Sequence, residues 1–371
     1  MYQVPLPAEY TGLSDEEMAT RIDAARAKLG KRLVILGHHY QRDEIIRHAD
    51  FRGDSYKLAK DAGNQPEAEF IVFCGVHFMA ESADILTGDH QKVILPNLAA
   101  GCSMADMANQ FQVKSAWKQL SEHIDVSELI PVTYINSSAS IKAFVGEHGG
   151  IVCTSTNAPA VMEWALQHGK RVIFFPDQHL GRNTAVKMGY DTENDMALWD
   201  PFKPLGGNTP EKIKNTKFYL WKGHCSVHKR FTVEQIEKAR LEHPGVNVLV
   251  HPECELEVVQ ASDYNGSTEY IINTIKAAAP GTAWAVGTEI NLVNRLQQEM
   301  PDKTIFSLDP QICPCSTMYR IHPSFLLWVL ENLVNDIVVN HIEVLPKVAE
   351  YARVALQRML DIGGTTSSKA G

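Results

Sequence analysis

The chain lacks any apolar run approaching the roughly 18 residues that a membrane span requires, so no membrane role is expected. It also lacks a positive balance. Its 35 Lys and Arg stand against 44 Asp and Glu, a formal charge of −9 over 371 residues, which argues against the basic face of a nucleic-acid binder. Anionic substrates stay open, because a local site can be positive inside an acidic protein. Neither G-x-G-x-x-G nor G-x-x-x-x-G-K-[ST] occurs, so dinucleotide and nucleoside-triphosphate cradles lose their usual support. Residues 1–11 are polar and contain proline, with neither the basic start nor the apolar stretch of a leader. There is no C-x-x-C pair, and the seven cysteines are an odd number spread over a long chain. That pattern points to reduced thiols, metal ligation or catalysis rather than a disulfide framework, with the cytoplasm as the expected compartment.

What is present reads as α/β. Ser14 and Glu17 have the spacing of a helix capping box, and Gly30 follows Leu29 as a stop. Short apolar segments then recur, each followed by polar residues and an amphipathic stretch: Leu33–Leu36, Phe70–Phe73, Val93–Leu95, Val132–Ile135, Val172–Phe175, Phe218–Leu220, Val246–Val250 and Trp284–Val286. Strands alternating with helical patterns predict βαβ units around mostly parallel sheets.

One succession of features recurs three times, with a period of roughly 100 residues. Each round opens on a strand ending in chemically capable residues: His38 and Tyr40, Tyr134 and Asn136, His251 and Glu253. A Ser/Thr motif at an expected helix start follows, at Gly53-Asp54-Ser55, Thr154-Ser155-Thr156 and Gly266-Ser267-Thr268. A strand–turn–helix unit comes next, at Phe73-Cys74-Gly75, Phe175-Pro176-Asp177 and Val286-Gly287-Thr288. Each round closes on a cysteine, in Gly101-Cys102, His224-Cys225 and Pro314-Cys315. Any α/β chain offers strand-to-polar junctions; four features in the same order favour a true repeat. Ligands of open α/β sheets sit at the carboxyl ends of strands. The expected fold is therefore three small three-layer α/β/α domains, related by pseudo-threefold symmetry around a central active-site cavity, plus C-terminal helices. The expected boundaries are an N-terminal extension and helix over 1–30, a first domain over 31–115, a second over 116–230, a third over 231–322, and C-terminal helices with a disordered tail over 323–371. Residues 181–217, rich in Gly, Pro and Asn, are read as an insertion in the second domain, a surface excursion or a lid.

Three cysteines at equivalent strand ends would supply one thiolate fewer than a closed four-cysteine site needs. A cubane held that way keeps one iron free to act as a Lewis acid. Spacing alone carries little, since the three are far apart in sequence. Cys74 and Cys153 sit in apolar strands and read as packing residues. Cys254 reads as a spare thiol near the site, and only one of Cys313 and Cys315 can occupy the repeat position. A structural zinc on Cys225 with His224 or His228 is the other metal reading, without C-x-x-C support.

His38, Tyr40, Tyr134, Asn136, His228, His251 and Glu253 are the candidates for acid–base and polar work, although a lone His or Tyr at a strand end is usually a structural hydrogen-bonder. Glu253 is the expected general acid or base, as a carboxylate screened from water near a metal can titrate close to neutrality. Ser55, Ser155 and Thr268 fit anion binding, because hydroxyls and free N–H groups at helix N-termini hold phosphate or carboxylate; simple capping explains each one alone equally well.

Nine ordered motifs resemble the quinolinate synthase family. They are Gly37-His38-His39-Tyr40-Gln41, Gly53-Asp54-Ser55, Gly75-Val76-His77-Phe78-Met79-Ala80-Glu81, Gly101-Cys102-Ser103-Met104-Ala105, Tyr134-Ile135-Asn136-Ser137, Thr154-Ser155-Thr156-Asn157-Ala158, Gly223-His224-Cys225-Ser226-Val227-His228, His251-Pro252-Glu253-Cys254 and Gly266-Ser267-Thr268. The resemblance runs from about Leu33 to Met318. It implies a [4Fe–4S] cluster on Cys102, Cys225 and Cys315, with one open iron. It also implies condensation of iminoaspartate with dihydroxyacetone phosphate to quinolinate, with release of phosphate and water. NAD is then a downstream product rather than a cofactor. His38, Tyr40, Ser55, Tyr134, Asn136, Ser155, His228, His251, Glu253 and Thr268 match family positions that contact substrate or intermediates. Aligning on Met318 selects Cys315, whereas many members carry Cys-Pro, an aromatic residue and Met there.

On this reading Glu253 moves protons with Tyr40 and His251 as helpers. Ser55, Ser155, Thr268 and Asn136 hold phosphate and carboxylates, alongside the further substrate contacts His38, Tyr134 and His228. L-aspartate oxidase or aspartate dehydrogenase is the implied source of iminoaspartate, by metabolic analogy. A regulatory disulfide among Cys313, Cys315 and Cys254 is a further expectation. The competing classes are a zinc-dependent lyase or aldolase and a non-catalytic iron–sulfur sensor.

Overall fold

The computed structural model describes residues 3–311 and 314–366. Its strands are the apolar runs of the sequence, and several are buried along their whole length, as parallel strands covered on both faces must be. The first sheet contains β1 (Leu33–His38), β2 (Phe51–Gly53), β3 (Phe70–Cys74) and β4 (Lys92–Ile94). The second contains β5 (Leu129–Tyr134), β6 (Ile151–Cys153), β7 (Arg171–Phe175), β8 (Met196–Trp199) and β9 (Phe218–Trp221). The third contains β10 (Asn247–Val250), β11 (Tyr264–Asn265), β12 (Ala283–Gly287) and β13 (Thr304–Ser307). The short β14 (His341–Ile342) adds antiparallel to the β4 edge of the first sheet; the other pairings are parallel.

The spatial orders are β2-β1-β3-β4-β14, β6-β5-β7-β9-β8 and β11-β10-β12-β13. Each sheet thus runs second, first, third, then last strand of its round, with β8 as one added edge strand in the second. The three rounds of the sequence are three copies of one sheet topology, and the chain is α/β as expected.

The chain divides into two compact units. One comprises Met1–Cys102, Glu289–Arg295 and Ile312–Val344 and carries the first sheet. The other comprises Ser103–Thr288, Leu296–Gln311 and Leu345–Gly371 and carries the second and third sheets.

In the first unit, helix Asp15–Leu29 starts on Ser14, whose hydroxyl accepts from the Glu17 N–H, and ends at Gly30 in a positive-φ conformation (φ 51°) suited to glycine. It packs on helix Pro323–Val334. There Arg21 forks onto both carboxylate oxygens of Glu331, at 2.9 and 2.7 Å.

In the second unit, helix Pro346–Thr366 lies across helix Ala139–Glu147. The crossing is so close at Gly146 that a Cβ there would stand 1.9 Å from the Tyr351 carbonyl oxygen. The two helices expected beyond Pro323 therefore both exist but belong to different units. The tail expected to be disordered lies partly outside the described residues.

Residues 181–217, expected as an excursion or lid, are instead built into the second sheet's layer. They supply most of helix Gln178–Lys187, the whole of β8 and helix Pro210–Asn215. β8 pairs in parallel with β9 from Met196↔Phe218 to Trp199↔Trp221. The apolar Met196-Ala197-Leu198-Trp199 run is what makes it a strand; Trp199 is buried against Gly206.

Candidate functional site

Because β1–β4, β5–β9 and β10–β13 are parallel within their sheets, their carboxyl ends lie along one edge of each, and the singled-out residues fall there. In the first unit, His38 is the last residue of β1 and is buried. The Tyr40 ring meets it edge-on at 4.9 Å, and the Tyr40 N–H donates to His38 Nδ1 at 3.1 Å. Ser55 is the first residue of helix Ser55–Gly63, after Asp54, whose carboxylate accepts from the Lys57 N–H at 2.9 Å. Cys102 and Cys315 are half-buried in this unit, and the Cys315 N–H donates to Glu289 Oε1 at 3.1 Å.

In the second unit, His251 and Glu253 follow β10, and His228 follows β9. His228 Nδ1 lies 2.5 Å from Glu253 Oε2, with both residues buried. The His228 and His251 rings stack at 4.3 Å, and His228 Nε2 is 3.3 Å from the Thr288 hydroxyl. His251 Nδ1 accepts from the Glu253 N–H at 3.3 Å, which places its own proton on Nε2. Glu253 Oε1 has no hydrogen-bond partner among the described residues. Asn183, on helix Gln178–Lys187, donates from Nδ2 to the carbonyls of Pro252 and Cys254, at 2.8 Å each, and so brackets Glu253.

These contacts set the charges. Burial alone would raise the Glu253 carboxyl, but His228 opposes it, with help from the Tyr134 hydroxyl, and the group falls to about 2. His251 offers little positive charge to this balance, because burial and the neighbouring His228 push it down to about 3 and leave it neutral. Near-neutral titration was expected of a Glu253 lying beside a metal; within the protein chain alone, the His228 imidazole at 2.5 Å holds the carboxyl low. Asp177, in the same unit, is displaced the other way. Burial and then the Glu253 charge raise its carboxyl well above the usual range, and its Oδ2 is buried without a partner among the described residues.

The helix-start expectation holds for two motifs of three. Thr268 opens helix Thr268–Ala277 behind the capping Ser267. Ser155 instead lies in the turn before helix Ala158–His168, where Asn157 takes the cap position and its side chain bonds back to Thr154. Asn136 sits two residues beyond β5, with its Oδ1 buried and unpartnered among the described residues, an acceptor that a ligand would satisfy.

The cysteines sort into two classes. Cys74, Cys153 and Cys254 are fully buried, and burial pushes each thiol up, which suits packing and opposes reactivity. This argues against Cys254 as a partner in a redox switch. Cys102, Cys225 and Cys315 are half-buried. Cys225, His228 and Glu253 additionally place a sulfur, a nitrogen and an oxygen within 4.8 Å of one another. Cys313 lies outside the described residues. Sequence reasoning missed Asn183, Glu289 and Arg295, which contact loops rather than offer exposed chemistry; Glu289 stood one residue beyond the quoted Val286-Gly287-Thr288 motif.

Among the described residues no helix is long and apolar enough to cross a membrane. The family model described as Quinolinate synthetase A protein matches residues 20–361. A quinolinate synthase of Corynebacterium glutamicum is 61% identical over 360 residues, spanning 97% of this chain and 91% of that protein. The quinolinate synthase of Herpetosiphon aurantiacus is 56% identical over 359 residues, with 96% and 95% covered. That of Rhodopirellula baltica is 54% identical over 364 residues, with 95% and 93% covered. With matches of this length and the motifs seated at the strand ends, the chain belongs to the quinolinate synthetase A family.

Proposed function

We propose that this chain condenses iminoaspartate with dihydroxyacetone phosphate to quinolinate, releasing phosphate and water, on the way to NAD. The observation that carries the reading is the buried His228–Glu253 pair beside Cys225, in a member of this family. The cofactor it calls for is a [4Fe–4S] cluster on Cys102, Cys225 and Cys315. Support for that ligand set comes from the donor chemistry, since among the described residues these are the half-buried thiols, while Cys74, Cys153 and Cys254 are fully buried. When bound, the cluster supplies an iron without a protein ligand, a Lewis acid that polarises a substrate oxygen.

The protein's own part follows from its charges. Glu253 shuttles protons through Oε1, which is buried without a hydrogen-bond partner among the described residues. Neutral His251 donates from Nε2, and the Tyr40 phenol assists. The free N–H groups at the starts of the helices opened by Ser55 and Thr268 hold phosphate or carboxylate, with hydroxyls from Ser155 and an amide from Asn136. His38 and Tyr134 complete the substrate contacts. Iminoaspartate hydrolyses readily, so a flavin- or nicotinamide-dependent oxidation of aspartate must supply it nearby, and a reducing cytoplasm suits the cluster.

The test is anaerobic purification followed by iron and sulfide quantitation, with ultraviolet detection of the pyridine product from the two substrates. Brown, active protein and a colourless Cys102→Ala variant are the expected results. An iron-poor preparation, or no pyridine product, overturns the reading. A second reading rests on the Cys225, His228 and Glu253 donors within 4.8 Å of one another, a set that can hold one zinc ion as in a lyase. Zinc in stoichiometric amount with activity retained would select it.

A further inference from the structure

Glu289, Asn291 and Arg295 at the start of helix Ile290–Glu299 have no part in the chemistry above, yet they make a dense set of contacts inside the first unit. Glu289 is 0% exposed. Its Oε1 accepts from the Cys315 N–H at 3.1 Å and from Asn291 Nδ2 at 2.9 Å, and its Oε2 accepts from the Asn291 N–H at 2.8 Å. Arg295, also buried, directs its whole guanidinium at the segment after β1. Nη1 donates to the His39 carbonyl at 2.9 Å, Nη2 to the Gln41 carbonyl, and Nε to Asp43 at 2.6 Å. Asn291 Nδ2 lies 3.4 Å from the Tyr40 carbonyl oxygen. The two loops also touch directly, since buried Gln41 donates from Nε2 to Met318 Sδ at 3.4 Å.

A carboxylate at a helix start ordinarily caps its own helix, and the bond from the Asn291 N–H does that. The bond from Cys315 lies outside this role, because it joins the helix start to a loop 26 residues further along the chain. Likewise one ion pair with Asp43 would explain a surface arginine, but not two further bonds to main-chain carbonyls on either side of Tyr40. We propose that Glu289 and Arg295 are positioning residues, a clamp in which Glu289 fixes the ligand loop of Cys315 and Arg295 fixes the loop of Tyr40. This deepens the proposed function and rests on Cys315 being a cluster ligand. Outer partners of metal ligands of this kind are commonly worth about 10–100-fold in metal retention or activity.

The experiment uses the full chain, purified anaerobically, with three variants. Glu289→Asp keeps a capping carboxylate for the Asn291 N–H but is one methylene too short for Cys315. Glu289→Gln keeps a carbonyl at the right length. Arg295→Lys keeps the charge for Asp43 and loses the fork onto the loop carbonyls. The readouts are iron and sulfide per chain, the rate of iron loss to a chelator, the spectrum of the reduced cluster, kcat and KM, and circular dichroism. Glu289→Asp should lose iron about tenfold faster than the wild-type chain with its dichroism unchanged, and Glu289→Gln should restore retention to near wild type. Arg295→Lys should keep its iron and lose about tenfold or more in kcat, as displaced catalytic groups do. Wild-type retention in Glu289→Asp, or equal loss in Glu289→Gln and Glu289→Asp, overturns the Glu289 arm. Unchanged kcat in Arg295→Lys overturns the other. A wild-type chain without iron overturns the clamp together with the ligand set, a failure visible before any variant is made.

Discussion

Glu253 and Glu289 are both carboxylates sealed from water, at 2% and 0% exposure, each just beyond a strand end. Burial is the largest influence on both and pushes both upward. In Glu253 the push is overcome by an imidazole 2.5 Å away, and the group settles at about 2. In Glu289 the opposition comes from the N–H groups of Cys315, Asn291 and Leu292 and the Asn291 side chain, with no cation, and the carboxyl stays up at about 7. N–H dipoles leave the buried Glu289 carboxyl high, whereas the close imidazole brings the Glu253 carboxyl down. The first arrangement suits an anchor for loops; the second keeps a buried carboxylate ionised at neutral pH.

The comparison breaks most visibly at Glu253. Glu253→Gln removes the proposed proton-shuttling carboxylate while preserving shape, so kcat should fall by about 10²–10⁴-fold with the absorbance of the proposed cluster retained. Full turnover would end the assignment. His228→Asn leaves Glu253 buried without its imidazole partner. The carboxyl must then rise, so protonation persists to higher pH and the acid limb of the kcat/KM profile should move towards neutrality. An unmoved limb would show that His228 is not what holds Glu253 down. The same variant should lower the melting temperature, since stranding one member of a buried pair costs up to about 3–5 kcal/mol, less whatever proton uptake relieves.

Glu331 is the smallest case, a carboxylate about a quarter exposed. It is lowered first by the Arg21 fork, against burial, with Tyr10 assisting. A carboxyl depressed in the folded state stabilises the fold above its unfolded value, about 4.3 for Glu, and that contribution disappears as pH falls through the folded value. Arg21→Ala should therefore cost about 1 kcal/mol or less at pH 7 and almost nothing well below pH 4. Thermal melts at the two pH values check this; an equal loss at both would mean that the contact acts by packing.

Much of this was legible beforehand, for identifiable reasons. Long apolar strands such as Phe70–Cys74 and Phe218–Trp221 announce themselves by composition, and recurrence of the same strand-end residues exposed the threefold repeat now seen as one strand order in each sheet. The three-residue strands β2 and β6, and the two-residue β11 and β14, carry too few apolar positions to be read without their pairing partners. Residues 181–217 looked like an excursion because their Gly, Pro and Asn mask the short run that becomes β8. Ser155 was misplaced by three residues because Asn157, not the Ser/Thr motif, takes the cap.

The amino-acid order by itself determined which residue types stand at the strand ends, because alternation of apolar run and polar turn is a local property. It also marked Cys74 and Cys153 as packing residues, through their apolar neighbours. Only the tertiary structure decided the ionisation of Glu253, the neutrality of His251 and the anchoring of Cys315 by Glu289. Those depend on partners 25, 23 and 26 residues away in the chain, and a pKa is set by distance and desolvation in space, which no window of sequence contains.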